Sequence, residues 1–443
     1  MNIVIITIVM MSSLLLLLLT GRQIFLIIGG VGIICALVFW GRGGVNMPFF
    51  AAYSYMRWYV LLALPPFVFM GLTLARSGVA DKLFDTLFLW LGPFRGGLAM
   101  ADVGFSCLVA AMSGTNAASL TTSATISLPQ MLRRKYDKKL VVGTVLAGGG
   151  LGFLIPPSVV LILYAIIAKV SVGHLWLAAI IPGLLLASMY VGYIFIRCRT
   201  HPSDGPAIPL EQRVGWVEKF RSLKNGLPAV ILIFVVLGLL FMGVTTLIEC
   251  AAIGAAGSLV CAAINRRLKW KMVLNILDQT MQVTVMVMWI FAAALLFSAI
   301  FDGLGAVHGV EKMLFMAGDN KWVVMIIMQL SFILMGTVLD DTAMLLIVAP
   351  LYIPIVANLD FSLVWWGILY VLNCQIAYLT PPFGYSLFMM RGFIPVVAPD
   401  AGISMGDIYR SVIPFVLIQA ACIGIIMVFP QIALWLPSLV FGG

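Results

Sequence analysis

Two proline pairs, Pro156-Pro157 and Pro381-Pro382, lie inside long apolar stretches of the sequence. A proline removes a backbone N–H donor and leaves a carbonyl oxygen of the preceding turn without its helical partner. Freed carbonyls near residues 150–155 and 377–380 are hard oxygen ligands that can replace water around a small cation such as Na⁺. The sequence therefore predicts two broken helices, each of which could bind a cation.

A polar interruption precedes each proline pair at a similar distance. Residues 112–119 read Met-Ser-Gly-Thr-Asn-Ala-Ala-Ser, and residues 335–342 read Met-Gly-Thr-Val-Leu-Asp-Asp-Thr. Gly114 lies 42 residues before Pro156, and Gly336 lies 45 residues before Pro381. Half-helices that begin after these interruptions would direct positive dipole ends at an anionic group. The matching order indicates an internal repeat, with cation and anion sites side by side.

Each of these features also has a simpler explanation. Proline in a membrane helix is often only a kink, and glycine often only permits close helix packing. Thr115, Asn116, Asp340 and Asp341 are all suitable helix N-caps. An acid inside an apolar span is nevertheless a functional candidate, and for Asp340 both interpretations stay open. Four such elements in two ordered pairs favour a functional site.

The elements that position these residues must be membrane helices. Of 443 residues, 63% are hydrophobic and 10% are charged, whereas a soluble domain has about 25% charged residues. Residues 140–196 contain one formally charged side chain, Lys169, and residues 361–390 contain none. A membrane span needs about 20 apolar residues. We predict an all-α polytopic membrane protein in which residues 1–20 form a first spanning helix and not a removable signal peptide.

Basic loops set the predicted orientation. Residues 133–139, 197–224 and 266–271 are rich in Lys and Arg, which places all three in the cytoplasm. Two predicted spans separate the first loop from the second (141–168, 175–196) and two more separate the second from the third (228–248, 250–264). Five basic residues follow Pro129 within ten positions, whereas none follows Pro354. The two halves are therefore predicted to be inverted in the membrane, as in many secondary transporters.

Other classes of function find no support in the sequence. The net charge of +9 lies in loops between apolar spans, which argues against a nucleic-acid partner. The seven cysteines are scattered without a CxxC pair, so neither a disulfide framework nor a metal centre is predicted. No HExxH motif or Ser-His pair suggests an enzyme, and no rings of like charge suggest a channel. We expect no cofactor apart from Na⁺ as coupling ion.

Two polar segments, 81–95 and 211–224, look like amphipathic connectors at the membrane surface. In the first of them, Pro93 is predicted to end the helix. The second lies between the halves. The predicted division has five parts. They are N-terminal scaffold helices (1–80), a first repeat (81–196), a connector with scaffold helices (197–300), a second repeat (301–400) and a C-terminal helix (401–443).

At the breaks the sequence resembles the large membrane subunit of tripartite ATP-independent periplasmic (TRAP) transporters. The likeness runs from about residue 50 to the end. It is carried by Ser113-Gly114 through Met131 with the basic exit that follows, Leu154-Ile155-Pro156-Pro157-Ser158, Pro182-Gly183, Leu339-Asp340-x-Thr342, Leu379-Thr380-Pro381-Pro382-x-Gly384, and Gly92-Pro93-x-Arg95-Gly96-Gly97.

The resemblance implies an elevator-type secondary transporter of the bacterial inner membrane. A scaffold would hold a transport domain built from an inverted repeat, with two re-entrant helical hairpins and two Pro-Pro-broken helices. A small four-helix membrane subunit and a periplasmic substrate-binding protein would be partners. The implied function is sodium-coupled uptake of a small organic anion (a carboxylate, sugar acid or sulfonate). The alternative is a stand-alone sodium/dicarboxylate carrier without a binding protein.

Two sets of site residues follow from the breaks and the resemblance together. The predicted sodium ligands are Ser113, Gly114, Asn116, Gly150, Gly152, Leu154, Pro156, Gly336, Asp340, Ala377, Thr380 and Phe383. The predicted substrate contacts are Thr115, Asn116, Ser158, Asp341, Thr342 and Arg391. The sequence departs from the family pattern at Ala377, where Gly is usual, and at Thr115-Asn116, where Ser-Ser is usual. Asp341 and Arg391 also replace small residues, which leaves the identity of the substrate open. Arg391 has the alternative interpretation of a residue that marks the cytoplasmic end of its segment.

Overall fold

In the computed structural model, residues 3–18, 20–209, 211, 213–315, 320–337, 339–381 and 384–442 are described, and their regular elements are all helical. The first ten α-helices are α1 Ile3–Leu18, α2 Ile24–Cys35, α3 Met47–Met56, α4 Leu64–Arg76, α5 Val79–Leu91, α6 Gly97–Ser113, α7 Asn116–Arg133, α8 Lys138–Gly150, α9 Val159–Ala168 and α10 Val172–Thr200. The next ten are α11 Trp216–Phe241, α12 Leu247–Ile264, α13 Trp270–Gly303, α14 Ala306–Phe315, α15 Lys321–Gly336, α16 Asp341–Asn358, α17 Leu363–Leu379, α18 Tyr385–Val397, α19 Met405–Val428 and α20 Gln431–Phe441.

The described helices confirm a polytopic membrane protein. Six of them are long and apolar enough to cross a bilayer, or seven if the bent α11 is one span. The predicted first span does form as α1, but its described helix has 16 residues. At 1.5 Å per residue this is about 24 Å, which is shorter than the roughly 30 Å hydrocarbon core. The spanning role of α1 therefore stays a prediction.

Close helix packing joins N-terminal helices to α12 and α13. Helix α2 lies along α13, and α4 lies along α12. A Cβ added at Gly29 would stand 3.4 Å from the Ala293 Cβ, and one at Gly32 would stand 3.3 Å from the Phe297 Cα. Small residues at such contacts let membrane helices approach closely, so dispersion contacts hold them together.

Helix α4 also meets the end of α6. A Cβ at Gly71 would lie 2.9 Å from the Ser113 Cα and 3.0 Å from the Ser113 carbonyl oxygen. The backbone of α4 is therefore in direct contact with the backbone at the end of α6.

Each half contains a helix–turn–helix pair followed by a broken helix. In the first half, α6 and α7 pack side by side, and α7 packs on α8. The helix then breaks at a short 3₁₀ turn, Leu151–Phe153, and resumes at Val159. In the second half, α15 and α16 form the pair, and α17 ends at Leu379 before α18 begins at Tyr385. The order of the predicted repeat is thus observed, while its inversion, the re-entry of the hairpins and the domain boundaries stay predictions.

The first two basic loops meet on one face of the molecule, as predicted. Arg197 forms ion pairs of 2.9 Å with Asp137 of the first loop and with Asp204 of its own loop. The Asp137 backbone N–H donates to the Asp204 carbonyl oxygen at 2.9 Å. The third loop adjoins the start of α5, where the Lys82 ammonium donates to Asn265 Oδ1 at 2.5 Å.

The two predicted connectors are both helical. Helix α5 ends at Leu91, just before Pro93, and it buries Leu83 and Phe84 while Asp81 stays exposed. The second connector begins at Trp216 and meets the next segment, Gly226–Phe241, at an angle of 53°. The angle agrees with a second connector that is inclined to the span it joins, while the placement of both connectors at the membrane surface stays a prediction.

Candidate functional site

The turn between α6 and α7 lies directly on the first broken helix. Gly114 has a φ of 66°, and a Cβ there would stand 2.5 Å from the Pro157 carbonyl oxygen. Its own carbonyl oxygen accepts from the Val159 N–H at 3.1 Å. Only glycine provides both this backbone conformation and this space. Gly114 therefore determines how closely the backbone of the first hairpin approaches the first break.

Gly152 provides the other half of this contact. A Cβ at Gly152 would lie 2.6 Å from the Thr115 carbonyl oxygen and 3.0 Å from the Asn116 nitrogen. Thr115 is the N-cap of α7 and accepts from the Ala118 N–H at 3.4 Å. The predicted ligands Ser113, Gly114, Asn116 and Gly152 are thus brought together by two stretches of irregular backbone.

Asn116 connects this cluster to the second half of the chain. Its Nδ2 donates to Ser386 Oγ in α18 at 2.9 Å. Its Oδ1 is buried and has no hydrogen-bond partner among the described residues. An unpaired buried amide oxygen costs free energy unless a ligand satisfies it. Asn116 Oδ1 is therefore a suitable cation ligand, at the point where the two halves meet.

The second hairpin contacts the second break in a similar way. A Cβ at Gly336, the last residue of α15, would stand 2.5 Å from the Ala377 Cβ and 3.2 Å from Met344 Sδ. Thr380 follows the end of α17, and its hydroxyl donates to the Ile376 carbonyl oxygen at 2.6 Å. The lone pairs of Thr380 Oγ1 remain available to accept. Three predicted sodium ligands, Gly336, Ala377 and Thr380, therefore belong to one neighbourhood.

The two acids of the second hairpin have different contacts. Asp340 is the N-cap of α16, and its Oδ1 accepts from the Ala343 N–H at 3.0 Å. Asp341 Oδ1 accepts from the Tyr378 hydroxyl at 2.6 Å, and the Asp341 N–H donates to the same hydroxyl at 2.9 Å. The Asp341 carbonyl oxygen accepts from the Tyr370 hydroxyl at 2.7 Å. Asp340 is thus an N-cap, as predicted, and its role as a sodium ligand stays a prediction. Helix α17 holds Asp341 in place.

Tyr378 is the main site residue that the sequence did not single out. Its ring packs edge-on against Phe153 of the first break, with centroids 5.1 Å apart, and lies 5.2 Å from the ring of Tyr385. Together with its bonds to Asp341, these contacts connect both breaks with the second hairpin. The sequence could have pointed to Tyr378, because this tyrosine stands two residues before Thr380 in the charge-free stretch 361–390.

Gln375 is a second residue that the sequence did not single out. It is buried, and neither Oε1 nor Nε2 has a partner among the described residues. A Cβ at Gly150 would lie 3.4 Å from Gln375 Oε1. The amide therefore adjoins the first break from the opposite half. Gln375 and the nearby Asn373 could have been noticed as amides in the charge-free stretch 361–390.

The remaining predicted residues have varied positions. Ser158 is buried, donates to the Phe153 carbonyl oxygen at 2.6 Å and caps α9. Leu154 and Pro156 are buried within the first break, and Thr342 is buried in the first turn of α16. Arg391 is exposed on α18, and no ion pair of the described residues includes it. Phe383 lies outside the described residues. The roles of all these residues stay predictions.

The oxygen atoms around the two breaks are of the kind that suits a hard monovalent cation. They belong to backbone carbonyls, hydroxyls and side-chain amides, and to the carboxyl groups of Asp340 and Asp341. The described residues contain no group of three or more His, Cys, Asp or Glu side chains that could hold a metal ion. Such an oxygen set around unwound backbone is the kind that binds coupling ions in transporters.

Comparison with known proteins identifies the family. The model of the DctM component of tripartite ATP-independent periplasmic transporters matches residues 11–432. The C4-dicarboxylate TRAP transporter large permease protein DctM of Pseudomonas aeruginosa is 31% identical over 381 residues, 86% of each chain. The sialic acid TRAP transporter large permease protein SiaM of Vibrio cholerae is 28% identical over 391 residues, 87% of each chain.

A solved structure supports the fold. The YdaH transporter of Alcanivorax borkumensis superposes with a TM-score of 0.62 over 88% of this chain and 90% of its own, at 14% identity. At that identity the likeness concerns the fold alone. The family match covers nearly the whole chain and includes both hairpins and both breaks. The chain therefore belongs to the DctM family and is the large membrane subunit of a TRAP transporter, a multi-pass inner-membrane permease and not an enzyme.

Proposed function

We propose that this permease carries out sodium-coupled secondary uptake of a small organic anion. The observation that carries the proposal is the contact between the first hairpin and the first break, with the buried and unpaired Asn116 Oδ1 at its edge. Irregular backbone inside a membrane protein persists where protein or a polar cavity surrounds it. A bound Na⁺ would satisfy these oxygens.

The substrate class is a carboxylate, sugar acid or sulfonate. Three relatives are named for C4-dicarboxylates, sialic acid and isethionate, which are anions. A fourth is named for ectoine, a zwitterion that also has a carboxylate. In this chain, α7 and α16 both begin at the turns of the hairpins. The partial positive charge at a helix N-terminus favours such an anion. Thr115, Asn116 and Thr342 are the side chains proposed to contact it.

The mechanism that we propose is of elevator type. Hairpins α6–α7 and α15–α16, together with the broken helices, would move as one body against a scaffold that includes α2, α4, α12 and α13. The Asn116–Ser386 hydrogen bond and the Phe153–Tyr378 contact support this grouping because each connects the two halves. A small membrane subunit and a periplasmic binding protein would complete the transporter.

The test is uptake by proteoliposomes that contain this chain and its small subunit. We expect a radiolabelled organic anion to accumulate only with an inward sodium gradient and the cognate binding protein. Replacing the sodium gradient with potassium is the control for ion coupling. Accumulation that needs no binding protein would instead support a stand-alone sodium/dicarboxylate carrier, and accumulation without sodium would remove the coupling ion.

A further inference from the structure

A buried carboxyl lies inside the first hairpin, well away from its turn. Asp102 is in the second turn of α6 and is 0% exposed. It faces Ser123 and Ser127 of α7. Ser106, one turn further along α6, pairs with Ser123 through their hydroxyls at 2.9 Å. Asp102 is eleven residues before Ser113, so about 16 Å of helix separates it from the candidate site.

The hydrogen bonds around Ser127 restrict where a proton can be. Ser127 Oγ contacts two oxygens, the Ser123 carbonyl at 2.6 Å and Asp102 Oδ1 at a shorter distance. The Ser127 hydroxyl has one proton, which it shares between both oxygens or donates to one of them. If it donates to Asp102, the contact fits either an ionised or a neutral acid. If it donates to the Ser123 carbonyl, which has no proton of its own, the Asp102 carboxyl must supply the proton for the second contact.

The other carboxyl oxygen favours the neutral acid. Asp102 Oδ2 is buried and has no hydrogen-bond partner among the described residues. An ionised carboxylate with an unpaired oxygen in an apolar interior is very costly, whereas the carbonyl oxygen of a neutral acid costs much less. Gly148 of α8 closes this side of the cluster, since a Cβ there would stand 2.5 Å from Ser106 Oγ.

No described charged group compensates for a charge on Asp102. The helices that pack against α6 are α4, α5, α7, α8, α10 and α11. Their charged and histidine residues lie towards the helix ends, except Asp85, which is in the middle of α5 and exposed. No hydrogen bond or ion pair shown for them reaches Asp102. These residues are Arg76, Asp81, Lys82, Asp85, Arg133, Lys138, Lys139, His174, Arg197, Arg199, Glu218, Lys219, Arg221 and Lys224.

We propose that Asp102 is a proton-binding site, at which a neutral carboxylic acid donates to Ser127 and holds α6 against α7. The ligand is a proton, and the site is separate from the sodium and substrate positions. Removing the proton would leave a buried carboxylate with at most the Ser127 and Ser123 hydroxyls as donors. Raising the pH should therefore loosen the first hairpin, while asparagine at this position would keep the neutral contact at every pH.

The test is infrared spectroscopy of the full-length permease, purified and reconstituted in lipid. A protonated carboxyl has a C=O stretching band separate from those of amides and carboxylates. We expect the wild-type spectrum to lose one such band in Asp102→Asn. In Ser127→Ala we expect the band to remain but to shift to higher frequency, because the acid loses its acceptor. Asp81→Asn, at an exposed acid of α5, is the matched control and should leave the band unchanged.

A second measurement follows thermal unfolding against pH. We expect the wild type to lose stability as the pH rises and Asp102→Asn to lose less over the same range. A wild-type spectrum without the Asp102 band at any pH at which the protein is folded would overturn the proposal. A band that appears only when Na⁺ is removed would also overturn it and would assign Asp102 to a cation instead.

Discussion

At the residue scale, glycines and hydroxyls define the candidate site more than charges do. Gly114 and Gly152 let two irregular backbones touch, and Asn116 presents an oxygen beside them. Thr380 presents a hydroxyl oxygen at the second break. The candidate site depends on glycines, whose missing side chains leave room for a neighbouring backbone, and on oxygen atoms at particular positions. Substitutions that differ by one methyl or one oxygen should therefore be informative.

Gly152→Ala should weaken sodium binding without preventing folding. The new Cβ would lie 2.6 Å from the Thr115 carbonyl oxygen, so one of the two backbones must shift. Overpacking of this kind costs about 1–3 kcal/mol, and about 1.4 kcal/mol is a factor of ten in affinity. We expect the sodium concentration for half-maximal uptake to rise about tenfold. Gly192→Ala in α10, where nothing lies within 4 Å of the added Cβ, should leave it unchanged.

Thr380→Val tests one proposed ligand oxygen. The substitution keeps the shape of the side chain and removes the hydroxyl that donates to the Ile376 carbonyl. We expect the sodium concentration for half-maximal uptake to rise, while the maximal uptake rate at saturating sodium is largely kept. Thr125→Val is the matched control, because its exposed hydroxyl makes the same kind of bond to Thr121. An identical sodium curve for Thr380→Val and wild type would exclude Thr380 from the site.

At the element scale, Tyr378 connects three parts of the chain that the sequence keeps apart. Its hydroxyl both donates to and accepts from Asp341 at the start of α16, and its ring contacts Phe153 in the first break. Helix α17 therefore fixes the second hairpin relative to the first broken helix. Loss of the hydroxyl should change the position of the hairpin turn but not the packing of the ring.

Tyr378→Phe should weaken the binding of substrate or sodium. A buried hydrogen bond contributes roughly 1–2 kcal/mol in a membrane protein, which corresponds to a several-fold change in affinity. Equilibrium binding to the purified permease, by calorimetry, separates this effect from transport rate. Tyr385→Phe is the control, because no hydrogen bond is shown for the Tyr385 hydroxyl among the described residues. Equal affinities in both variants would show that the Tyr378 hydroxyl does not position the site.

The sequence predicted the breaks and the caps Thr115 and Asp340 because these are local features, and it predicted the repeat because the same features recur in the same order. Pro156-Pro157 is a pair of prolines at a break, whereas the single prolines Pro129 and Pro182 lie inside helices. The sequence could not predict the Asn116–Ser386 hydrogen bond, which joins positions 270 residues apart. Nor could it predict that the Gln375 amide lies beside Gly150 without a hydrogen-bond partner among the described residues. The residues next to an amide in an apolar helix do not indicate which distant residue it contacts. Long-range contacts depend on how the helices pack, which hydropathy alone does not determine.

At the scale of the whole molecule, the elevator proposal requires a scaffold that stays rigid. Helices α2 and α13 are in close contact, with the Gly29 position 3.4 Å from the Ala293 Cβ. Both belong to the predicted scaffold, so fixing them together should not stop the movement of the hairpins. This contact offers a covalent test of the division into two bodies.

A disulfide between Gly29→Cys and Ala293→Cys should form and leave uptake intact. The Cβ separation is close to the 3.5–4.5 Å of natural disulfides. The measurement is uptake by proteoliposomes before and after oxidation, in a background in which the seven native cysteines are replaced. The reduced double variant is the control. Uptake that is lost on oxidation and restored by reductant would contradict a rigid scaffold that includes both helices.

Gly71 has a consequence for the balance between the two end states under the same proposal. Helix α4 presents bare backbone to Ser113 at the turn of the first hairpin, so at this point no side chain separates the two backbones. A Cβ at Gly71 would stand 2.9 Å from the Ser113 Cα, and it would therefore raise the free energy of the end state in which these backbones touch. Substitution of Gly71 would then shift the population of the permease towards its other end state, although no proposed ligand atom is removed.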